Sequence, residues 1–480
     1  MILKDLLENV EVIEMSAMSH VPIGGICFDT RKLKHGDLFV AVRGYEQDGH
    51  KYIGAAIKMG AACVICEDIP DENVPYVLVG NTRRALALIC ATWFGRPADS
   101  VKLIGVTGTN GKTTVTSLLK CVIEICTGSK VGLIGTSGNM IGDRHLPAKY
   151  TTPDAYELHE LLALMVKEGC EMVVMEVSSH ALFLDRVYGI QFDVGVFTNL
   201  TQDHMDFHGT MNAYAASKSI LFANSKNSAI NLDDKYAQVM IDNAAGNVFT
   251  YAIEDDKADL VAKEVRLYAE KITFCALTIG NLIRVELSIP GVFSVYNALA
   301  VVSASLLLGF DIDCITTALP MCKGVKGRAE VVPTNKDYTV IIDYAHTPDA
   351  LEKIILAVKN TAQGRVVTLF GCGGDRDKTK RPLMGATAAE HSDFVIVTSD
   401  NPRTEDAGKI IADILEGMPD KKSSYIVIEN RREAIKWALD NAQAGDIIIL
   451  AGKGHETYQI IGKDKYDFDE RVIVADFIGK

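Results

Sequence analysis

Apolar and polar positions along this chain alternate between short β-type runs and longer helical runs. In the first hundred residues, strand-like runs at 37–42 and 61–66 alternate with helical patterns, the last of which covers 82–94. This helical run ends at Gly95-Arg96-Pro97, a sequence typical of a linker. We therefore predict a small N-terminal α/β domain over residues 1–98.

A second region opens with an apolar strand at 101–107, which leads into a glycine-rich loop and a helix. Apolar strands at 172–176 and 192–197 follow between helical stretches, a pattern typical of a mostly parallel, doubly wound sheet covered on both faces. Residues 258–290 alternate as strands with few helix signals, which indicates a small antiparallel extension. We assign residues 99–328 to this central domain.

The last third of the chain returns to alternating strands and helices. Strands are expected at 338–342, 366–370, 394–398 and 447–450. This alternation predicts a Rossmann-like sheet over residues 329–480, and so an α/β protein of three domains.

Charge and composition narrow the class of partner. The 480 residues include 49 basic and 62 acidic side chains, a net charge of −13, which disfavours a nucleic-acid or anionic membrane surface. No apolar run is long enough to predict a membrane span or a signal peptide. The Cys63 and Cys66 pair lacks a second pair at zinc spacing, so inert buried thiols and a reducing cytoplasm are expected.

The glycine-rich loop is the most specific local signal. Gly108-Thr109-Asn110-Gly111-Lys112-Thr113-Thr114 joins a strand to a helix, where backbone N–H groups can bind phosphate. Lys112 is then expected to reach the β- and γ-phosphates of ATP, and Thr113 to ligate Mg²⁺. Val106 stands where a full P-loop begins with glycine. A tight turn with a solvated lysine is the alternative reading.

Further motifs follow the loop in a fixed order. They are Thr151-Thr152-Pro153, Glu176-Val177-Ser178-Ser179-His180, Thr198-Asn199-Leu200-Thr201-Gln202-Asp203-His204, Asn231-Leu232-Asp233-Asp234, Gly327-Arg328-Ala329-Glu330, Asp343-Tyr344-Ala345-His346-Thr347-Pro348-Asp349 and Gly452-Lys453-Gly454-His455-Glu456. With the shortened loop, this series resembles the Mur ligase family over nearly the whole chain. Members of that family add amino acids to the peptide of bacterial cell-wall precursors.

The resemblance is strongest to members that extend UDP-MurNAc-L-Ala-D-Glu. It implies an ATP-dependent amide ligase that adds meso-diaminopimelate to the D-Glu γ-carboxylate through an acyl phosphate, acting as a monomer. The catalytic residues that it implies are Lys112, Lys218, Arg328 and His346. The implied ATP contacts are the loop 108–114, Asn297, Arg328 and Asp343. From the residues alone, Asn297 could equally be a helix cap.

Two Mg²⁺ ions are also implied by the resemblance. Their ligands would be Thr113, Glu176, His204 and a Lys218 carbamylated by CO₂. Carbamylation replaces a cation with an anionic oxygen ligand, which suits a hard metal ion. Taken alone, Glu176 could be a cap or a surface charge, His204 or His208 a hydrogen-bonded loop histidine, and Lys218 a solvated helix charge.

The resemblance places the uridine nucleotide on the first domain and the muramoyl-peptide on the second. The implied contacts are Thr30, Tyr45, Glu46, Gln47, Thr151, Thr152, Ser178 and Arg186. Arg186 is a natural partner for the peptide carboxylates. Leu184 departs from the pattern, because some relatives have a polar Gln at this position.

The choice of amino acid rests on Asp400-Asn401-Pro402-Arg403, which resembles the signature of diaminopimelate-adding members. A guanidinium can bind the second carboxylate of diaminopimelate, whereas it would repel the ammonium of lysine. The implied pocket is Arg376, Asp400, Asn401, Pro402, Arg403, Gly452 and Glu456. The alternatives are a water-facing turn arginine, lysine as the substrate, a folylpolyglutamate-type ligase, and a regulatory or motor NTPase.

Overall fold

The computed structural model describes residues 1–479 except Tyr45, Glu46, Glu72, Ala269, Asn360 and 420–423, and it leaves the side chain of Asp206 undescribed. The chain forms two compact units. The first comprises residues 1–250 and 303–310, and the second comprises 251–302 and 311–480. Within the described residues, no helix has the length and apolar character needed to cross a membrane.

The N-terminal part of the first unit is a five-stranded sheet with helices. Its elements are α1 (Leu3–Leu6), β1 (Val12–Met15), β2 (Ile26–Cys27), β3 (Leu38–Val40), α2 (Ile53–Lys58), β4 (Cys63–Cys66), β5 (Tyr76–Val79) and α3 (Thr82–Trp93). The strand order is β1-β5-β4-β3-β2, and only β1 is antiparallel. Both thiols of β4 are fully buried. Burial raises the pKa of Cys63 to about 12 and that of Cys66 to about 11, so the expected inert thiols are confirmed.

The rest of the first unit is the sheet that carries the glycine-rich loop. Its elements are β6 (Lys102–Thr107), α4 (Lys112–Thr127), β7 (Val131–Ile134), β8 (Asn139–Ile141), β9 (Arg144–Leu146), α5 (Ala155–Lys167), β10 (Met172–Glu176), α6 (Ser179–Phe183), β11 (Phe192–Phe197), α7 (Met205–His208), α8 (Met211–Ala223), β12 (Ser225–Asn231), α9 (Ala237–Asp242) and β13 (Asn247–Ala252). The order β12-β11-β6-β10-β7-β8-β9 is parallel from β12 to β7, which confirms the mostly parallel sheet.

The register of three central strands brings their carboxyl ends together. Glu176 at the end of β10 pairs with Val106 of β6, and Phe197 at the end of β11 pairs with Thr107. Ligands of open α/β sheets bind beyond the carboxyl ends of the strands. The loop that follows β6 therefore lies between the segments that follow β10 and β11.

The second unit begins with three antiparallel strands and continues as a six-stranded sheet with helices. Its elements are β14 (Leu260–Leu267), β15 (Ile272–Thr278), β16 (Asn281–Leu287), α10 (Val292–Leu307, which ends in the first unit), α11 (Ile312–Ala318), β17 (Glu330–Val332), β18 (Thr339–Asp343), α12 (Pro348–Lys359), β19 (Val366–Phe370), α13 (Lys380–His391), β20 (Phe394–Val397), α14 (Ala407–Leu415), β21 (Tyr425–Val427), α15 (Arg431–Asp440), β22 (Ile447–Ala451), β23 (Tyr458–Ile461), β24 (Asp464–Asp467) and α16 (Glu470–Ile478).

The six-stranded sheet has the order β17-β18-β22-β19-β20-β21, and only β17 is antiparallel. This arrangement confirms the expected Rossmann-like sheet, and β14 to β16 confirm the antiparallel extension. The hairpin of β23 and β24 was not predicted. The domain limits 1–98, 99–328 and 329–480 stay predictions.

Candidate active site

The glycine-rich loop is held in place by the segment that follows β11. The N–H of Thr109 donates to the carbonyl of Asn199 at 2.9 Å, and the N–H of Asn110 donates to Asn199 Oδ1 at 3.0 Å. Thr198 Oγ1 donates to the carbonyl of Asn110 at 2.6 Å. The hydroxyl of Thr109 donates to the carbonyl of Thr201 at 3.2 Å. The loop conformation therefore depends on residues about 90 positions away.

Two loop glycines have backbone angles that favour glycine. Gly108 has φ of +151° and Gly111 has φ of +85°. A Cβ atom at Gly108 would overlap Thr198 Oγ1 and would lie 3.1 Å from the carbonyl oxygen of Asn199. Helix α4 begins at Lys112, directly after the loop, so its first N–H groups lie at the end of the loop. This geometry is typical of a phosphate site.

Two lysine amines meet at one carbonyl of the loop. Lys112 Nζ donates to the carbonyls of Gly108 at 2.8 Å and Thr109 at 2.9 Å. Lys218 Nζ, from α8, also donates to the carbonyl of Gly108, at 2.9 Å. The Lys218 amine lies 4.7 Å from the ring centre of Tyr214. The structure thus brings together two of the four predicted catalytic residues.

Lys218 is buried, so its reading as a solvated helix charge is wrong. The residue is 1% exposed, and in the described part of the chain no carboxylate lies within 4 Å of its amine. Burial, together with the nearby Lys112 charge, holds the pKa of Lys218 well below its ordinary value of 10.5. A buried neutral amine is a nucleophile, whereas an ammonium is not.

Glu176 is also buried, at 1% exposure, so it is not a surface charge. Its Oε1 accepts the N–H of Thr136 at 2.9 Å and its Oε2 accepts the Thr136 hydroxyl at 3.1 Å. The cap of the following helix α6 is Ser178, so Glu176 is not a cap either. Its carboxylate ends a strand next to the one that enters the loop.

His204 lies in a left-handed conformation with φ of +53°, and its side chain is 47% exposed. Its ring packs edge-on against His180, with 4.8 Å between ring centres. The Nε2 atom of His208 lies 2.9 Å from the hydroxyl oxygen of Ser179. His208 is therefore a hydrogen-bonded histidine, which was one of the alternatives. Across the described residues, no group of three or more His, Cys, Asp and Glu forms a metal-ligand cluster. The ligand set of Thr113, Glu176, His204 and Lys218 stays a prediction.

The residues expected at the muramoyl-peptide form one hydrogen-bonded group. Thr152 Oγ1 accepts the N–H of Ser178 at 3.0 Å, and Arg186 Nη1 donates to the carbonyl of Thr152 at 2.9 Å. Thr151 Oγ1 accepts the hydroxyl of Thr136 at 3.0 Å. Burial lowers the pKa of Arg186, and in the described chain no carboxylate lies within 4 Å of it.

The residues expected at the uridine nucleotide are less fully described. Thr30 starts a short 3-10 helix that is capped by Asp29. The carbonyl of Gln47 accepts the N–H of Gly44 at 2.8 Å. Tyr45 and Glu46 lie outside the described residues. Leu184 is the C-cap residue that follows α6, two residues before Arg186.

The second unit holds the remaining residues expected at ATP. Asn297 lies well inside α10, which begins at Val292, so its reading as a helix cap is wrong. The Arg328 guanidinium lies 4.8 Å from the ring centre of Tyr344, and its buried Nε has no hydrogen-bond acceptor within the described chain. The carboxylate of Asp343 accepts two backbone N–H groups at 2.6 and 2.7 Å, and burial raises its pKa. His346 Nδ1 lies 2.8 Å from the carbonyl of Tyr344.

The two arginines expected at the amino-acid pocket flank one glycine. A Cβ atom at Gly373 would lie 2.9 Å from Arg403 Nη1 and 3.9 Å from Arg376 Cγ. Arg403 has φ of +52°, and its Nη1 donates to the carbonyl of Gly374 at 2.7 Å. The guanidinium of Arg403 is therefore partly buried and held in place, which contradicts the reading as a water-facing turn residue.

The loops after β20 and β22 are joined by side chains. Asn401 Nδ2 donates to Glu456 Oε2 at 2.8 Å, and a buried Lys453 contacts both residues at 3.2 Å. The hairpin of β23 and β24 also packs here, because the N–H of Arg403 donates to the carbonyl of Ile460 at 3.1 Å. The sequence shows Lys453 only as one position of the Gly452-Lys453-Gly454-His455-Glu456 motif. Nothing in the local sequence distinguishes it from an exposed lysine.

Comparison with known proteins gives matches over the whole chain. Residues 22–92 match the Mur ligase family catalytic domain, 106–305 the Mur ligase middle domain, and 327–454 the Mur ligase glutamate ligase domain. A UDP-N-acetylmuramoyl-L-alanyl-D-glutamate–2,6-diaminopimelate ligase of Caldanaerobacter subterraneus subsp. tengcongensis is 49% identical, covering 100% of this chain and 99% of the relative. A Clostridium acetobutylicum protein of that name is 45% identical, with 99% of each chain covered.

Solved structures agree with these matches. A structure titled UDP-N-acetylmuramoyl-L-alanyl-D-glutamate–2,6-diaminopimelate ligase superposes with a TM-score of 0.76 at 34% identity, covering 100% of this chain and 99% of the other. A folylpolyglutamate synthase of Mycobacterium tuberculosis, bound to ADP and AMPPCP, has a TM-score of 0.64 at 18% identity and shares the fold. It covers 83% of this chain and 95% of its own. This chain belongs to the Mur ligase family.

Proposed function

We propose that this chain is an ATP-dependent ligase that joins meso-diaminopimelate to the D-Glu γ-carboxylate of UDP-MurNAc-L-Ala-D-Glu. The names of the relatives described above support this assignment. The glycine-rich loop, with the start of α4 behind it, supports the ATP site. The acceptor depends on the chemistry of the pocket in the second unit.

One observation carries the acceptor assignment, namely the junction of the 399–403 and 452–456 loops. Arg403 provides a partly buried cation, and Glu456 provides a carboxylate whose Oε2 is fixed by Asn401 at 2.8 Å. The far end of diaminopimelate carries one carboxylate and one ammonium. The Arg403 guanidinium matches the carboxylate and the Glu456 carboxylate matches the ammonium, whereas lysine would leave the arginine unpaired.

The reaction has two chemical steps. The γ-carboxylate oxygen of D-Glu attacks the γ-phosphorus of ATP, and ADP leaves, so that an acyl phosphate forms. The amine of diaminopimelate then attacks the acyl carbon, phosphate leaves with the electron pair of the C–O bond, and the nitrogen loses one proton to solvent, giving the amide. Lys112 and Arg328 would neutralise charge on the phosphates, and Arg186 would orient the substrate peptide.

Residues around the loop fit a site for Mg²⁺. Thr113 and Glu176 offer oxygen ligands, His204 offers a ring nitrogen, and a carbamylated Lys218 would add an anionic oxygen. The buried amine of Lys218 fits this chemistry, because it is close to the loop and has no carboxylate partner in the described chain. Bound Mg²⁺ would neutralise phosphate charge. We also propose a monomer in the cytoplasm, where ATP is supplied.

Carbamylation of Lys218 has its own test. Its neutral amine would attack CO₂, form an N–C bond and release one proton. Protein equilibrated with ¹³C-bicarbonate should show a carbamate signal in its ¹³C NMR spectrum, which Lys218→Ala should lose. The activity of Lys218→Ala should be nearly absent and partly restored by small carboxylic acids. If Lys218→Ala kept its activity, or if small carboxylic acids restored none of the lost activity, the modification would be contradicted.

Release of ADP tests the proposed function as a whole. The purified chain should release ADP only when UDP-MurNAc-L-Ala-D-Glu and meso-diaminopimelate are both present. Lysine in place of diaminopimelate should give little turnover. Turnover with lysine and not with diaminopimelate would refute the acceptor assignment, and ATP turnover without any acceptor would indicate a regulatory or motor NTPase.

A further inference from the structure

Lys453 is a fully buried lysine at the centre of the proposed acceptor pocket. It is 0% exposed, and its Nζ lies 3.4 Å from Asp400 Oδ1, 3.2 Å from Asn401 Oδ1 and 3.2 Å from Glu456 Oε2. An ammonium has three N–H donors, so these three acceptors use all of them. The amine also lies 5.8 Å from the ring centre of Tyr458. Such a residue is costly to bury unless it is paired in this way.

Two sets of charged side chains, each with its own ion pairs, lie around Lys453. Arg431 and Glu470 are both fully buried and pair with each other at 2.8 Å, so that pair is neutral. Asp400 and Glu456 have no cation other than Lys453 within 4 Å in the described chain. The group of Asp400, Glu456 and Lys453 therefore carries a formal charge of −1. That charge is the one that a single incoming ammonium would neutralise.

In the part of the chain that the structure describes, the side-chain hydrogen bonds of Glu456 involve one oxygen only. Oε2 accepts from Asn401 Nδ2 at 2.8 Å and from Lys453 Nζ at 3.2 Å. Within the described residues, no donor contacts Oε1. One oxygen is thus held by the protein, and the other retains its capacity to accept a hydrogen bond. Asn401 is fixed in turn, because its Oδ1 also accepts the N–H of Ile460 at 2.9 Å.

We propose that Lys453 is a positioning residue that sets the preference of this enzyme for an acceptor with a distal ammonium. It supplies the counter-charge of Glu456 and fixes the carboxylate through Oε2, so that Oε1 receives that ammonium. Without Lys453, the Asp400 and Glu456 carboxylates would lose the cation that lies near both of them, and Glu456 Oε2 would lose one of its two donors. This inference rests on the proposed function.

The test compares two acceptors that differ only in the distal amine. The first is meso-diaminopimelate, and the second is 2-aminopimelate, which keeps the distal carboxylate. Lys453→Met preserves most of the side-chain volume and removes the charge. We expect kcat/KM for diaminopimelate to fall at least about tenfold, the size of one lost charge-assisted hydrogen bond. The kcat/KM for 2-aminopimelate should change less than about twofold, because this acceptor has no distal amine that Glu456 could bind.

Two controls separate positioning from a general structural role. Lys436→Met removes an exposed lysine of α15 and should leave kcat/KM for both acceptors unchanged. The second control is Lys453→Met in a Glu456→Gln background. The ratio of kcat/KM for diaminopimelate to kcat/KM for 2-aminopimelate should then be the same as in Glu456→Gln alone, because Lys453 acts through the Glu456 carboxylate. If Lys453→Met does not fold, Lys453→Gln keeps a donor without the charge and should give the same loss of preference.

The outcomes distinguish this inference from the proposed function. The wild type could be active with diaminopimelate while Lys453→Met leaves the ratio of the two kcat/KM values unchanged. That result would overturn the role of Lys453 but not the proposed function. An equal fall for both acceptors would also overturn it, since that result indicates a structural role. A wild-type enzyme without diaminopimelate-dependent ADP release would refute the proposed function itself.

Discussion

His159 on α5 should make the first unit sensitive to mildly acidic pH. Its side chain is 1% exposed, and neither ring nitrogen has a hydrogen-bond partner in the described chain. Burial lowers the pKa of His159 from an ordinary 6.5 to about 4. The folded protein thus binds fewer protons than the unfolded chain between these values. Stability is therefore fully present above pH 6.5 and is lost as the pH falls toward 4.

The size of the effect follows from the two pKa values. At pH 5 the unfolded imidazole is almost fully protonated, while the folded one is mostly neutral. Linkage then gives a loss of roughly 2 kcal/mol in the free energy of unfolding relative to pH 7.5. His159→Leu removes this term, and it also removes two unsatisfied polar atoms. At pH 7.5 the variant should be as stable as the wild type or more stable.

Trp93 provides the signal for the assay. The chain has two tryptophans, and Trp93 packs on the same hydrophobic cluster as Tyr156 of α5. In a Trp437→Phe background, urea unfolding followed by Trp93 fluorescence reports on this region. The difference between His159→Leu and the wild type should grow by about 2 kcal/mol from pH 7.5 to pH 5.

The control for this experiment is His20→Leu, which removes an imidazole from an exposed position. Its difference from the wild type should not depend on pH. Other acidic and basic groups contribute equally to all three proteins. They therefore cancel in the difference in free energy of unfolding between each variant and the wild type. Parallel pH dependences of the wild type and His159→Leu would refute the reasoning.

Two further predictions concern the sites. Arg403→Ala should lower kcat/KM for diaminopimelate roughly 30- to 150-fold, which corresponds to a loss of about 2–3 kcal/mol of binding free energy, and should leave KM for ATP unchanged. An equal effect on both substrates in the ADP-release assay would contradict the assignment. Gly108→Ala should reduce ADP release at least about 100-fold, because its Cβ would overlap Thr198 and displace the loop. Gly128→Ala is the matched control, since Gly128 also has positive φ but has open space around it. Full activity of Gly108→Ala would show that the loop tolerates displacement.

Much of the fold could be predicted from local pattern. Strands β10, β11 and β19 agree with the predicted ranges at both ends. They are apolar runs between polar or glycine residues, and such runs are readable without tertiary contacts. The membership of the Mur ligase family, expected from the motif series, is confirmed by the comparisons.

The candidate sites were less accessible to sequence reasoning. Asn297 could be read as a helix cap because the sequence at the start of α10 lacks a strong helix-start signal. In the structure, α10 begins before Asn297, at Val292. Lys218 could be read as a solvated charge because a single lysine in a helix does not reveal which face is covered. The assigned roles of these site residues stay predictions.

The sequence by itself determined the alternation of strands and helices in the main sheets, the glycine-rich loop and the resemblance to a ligase family. These features depend on neighbouring residues and on the fixed spacing of motifs. Only the tertiary structure decided that Lys218 and Lys453 are buried, and which groups they contact. The physical reason is that burial and pairing of a charge depend on segments that are distant in the chain, as Gly108 and Lys218 are.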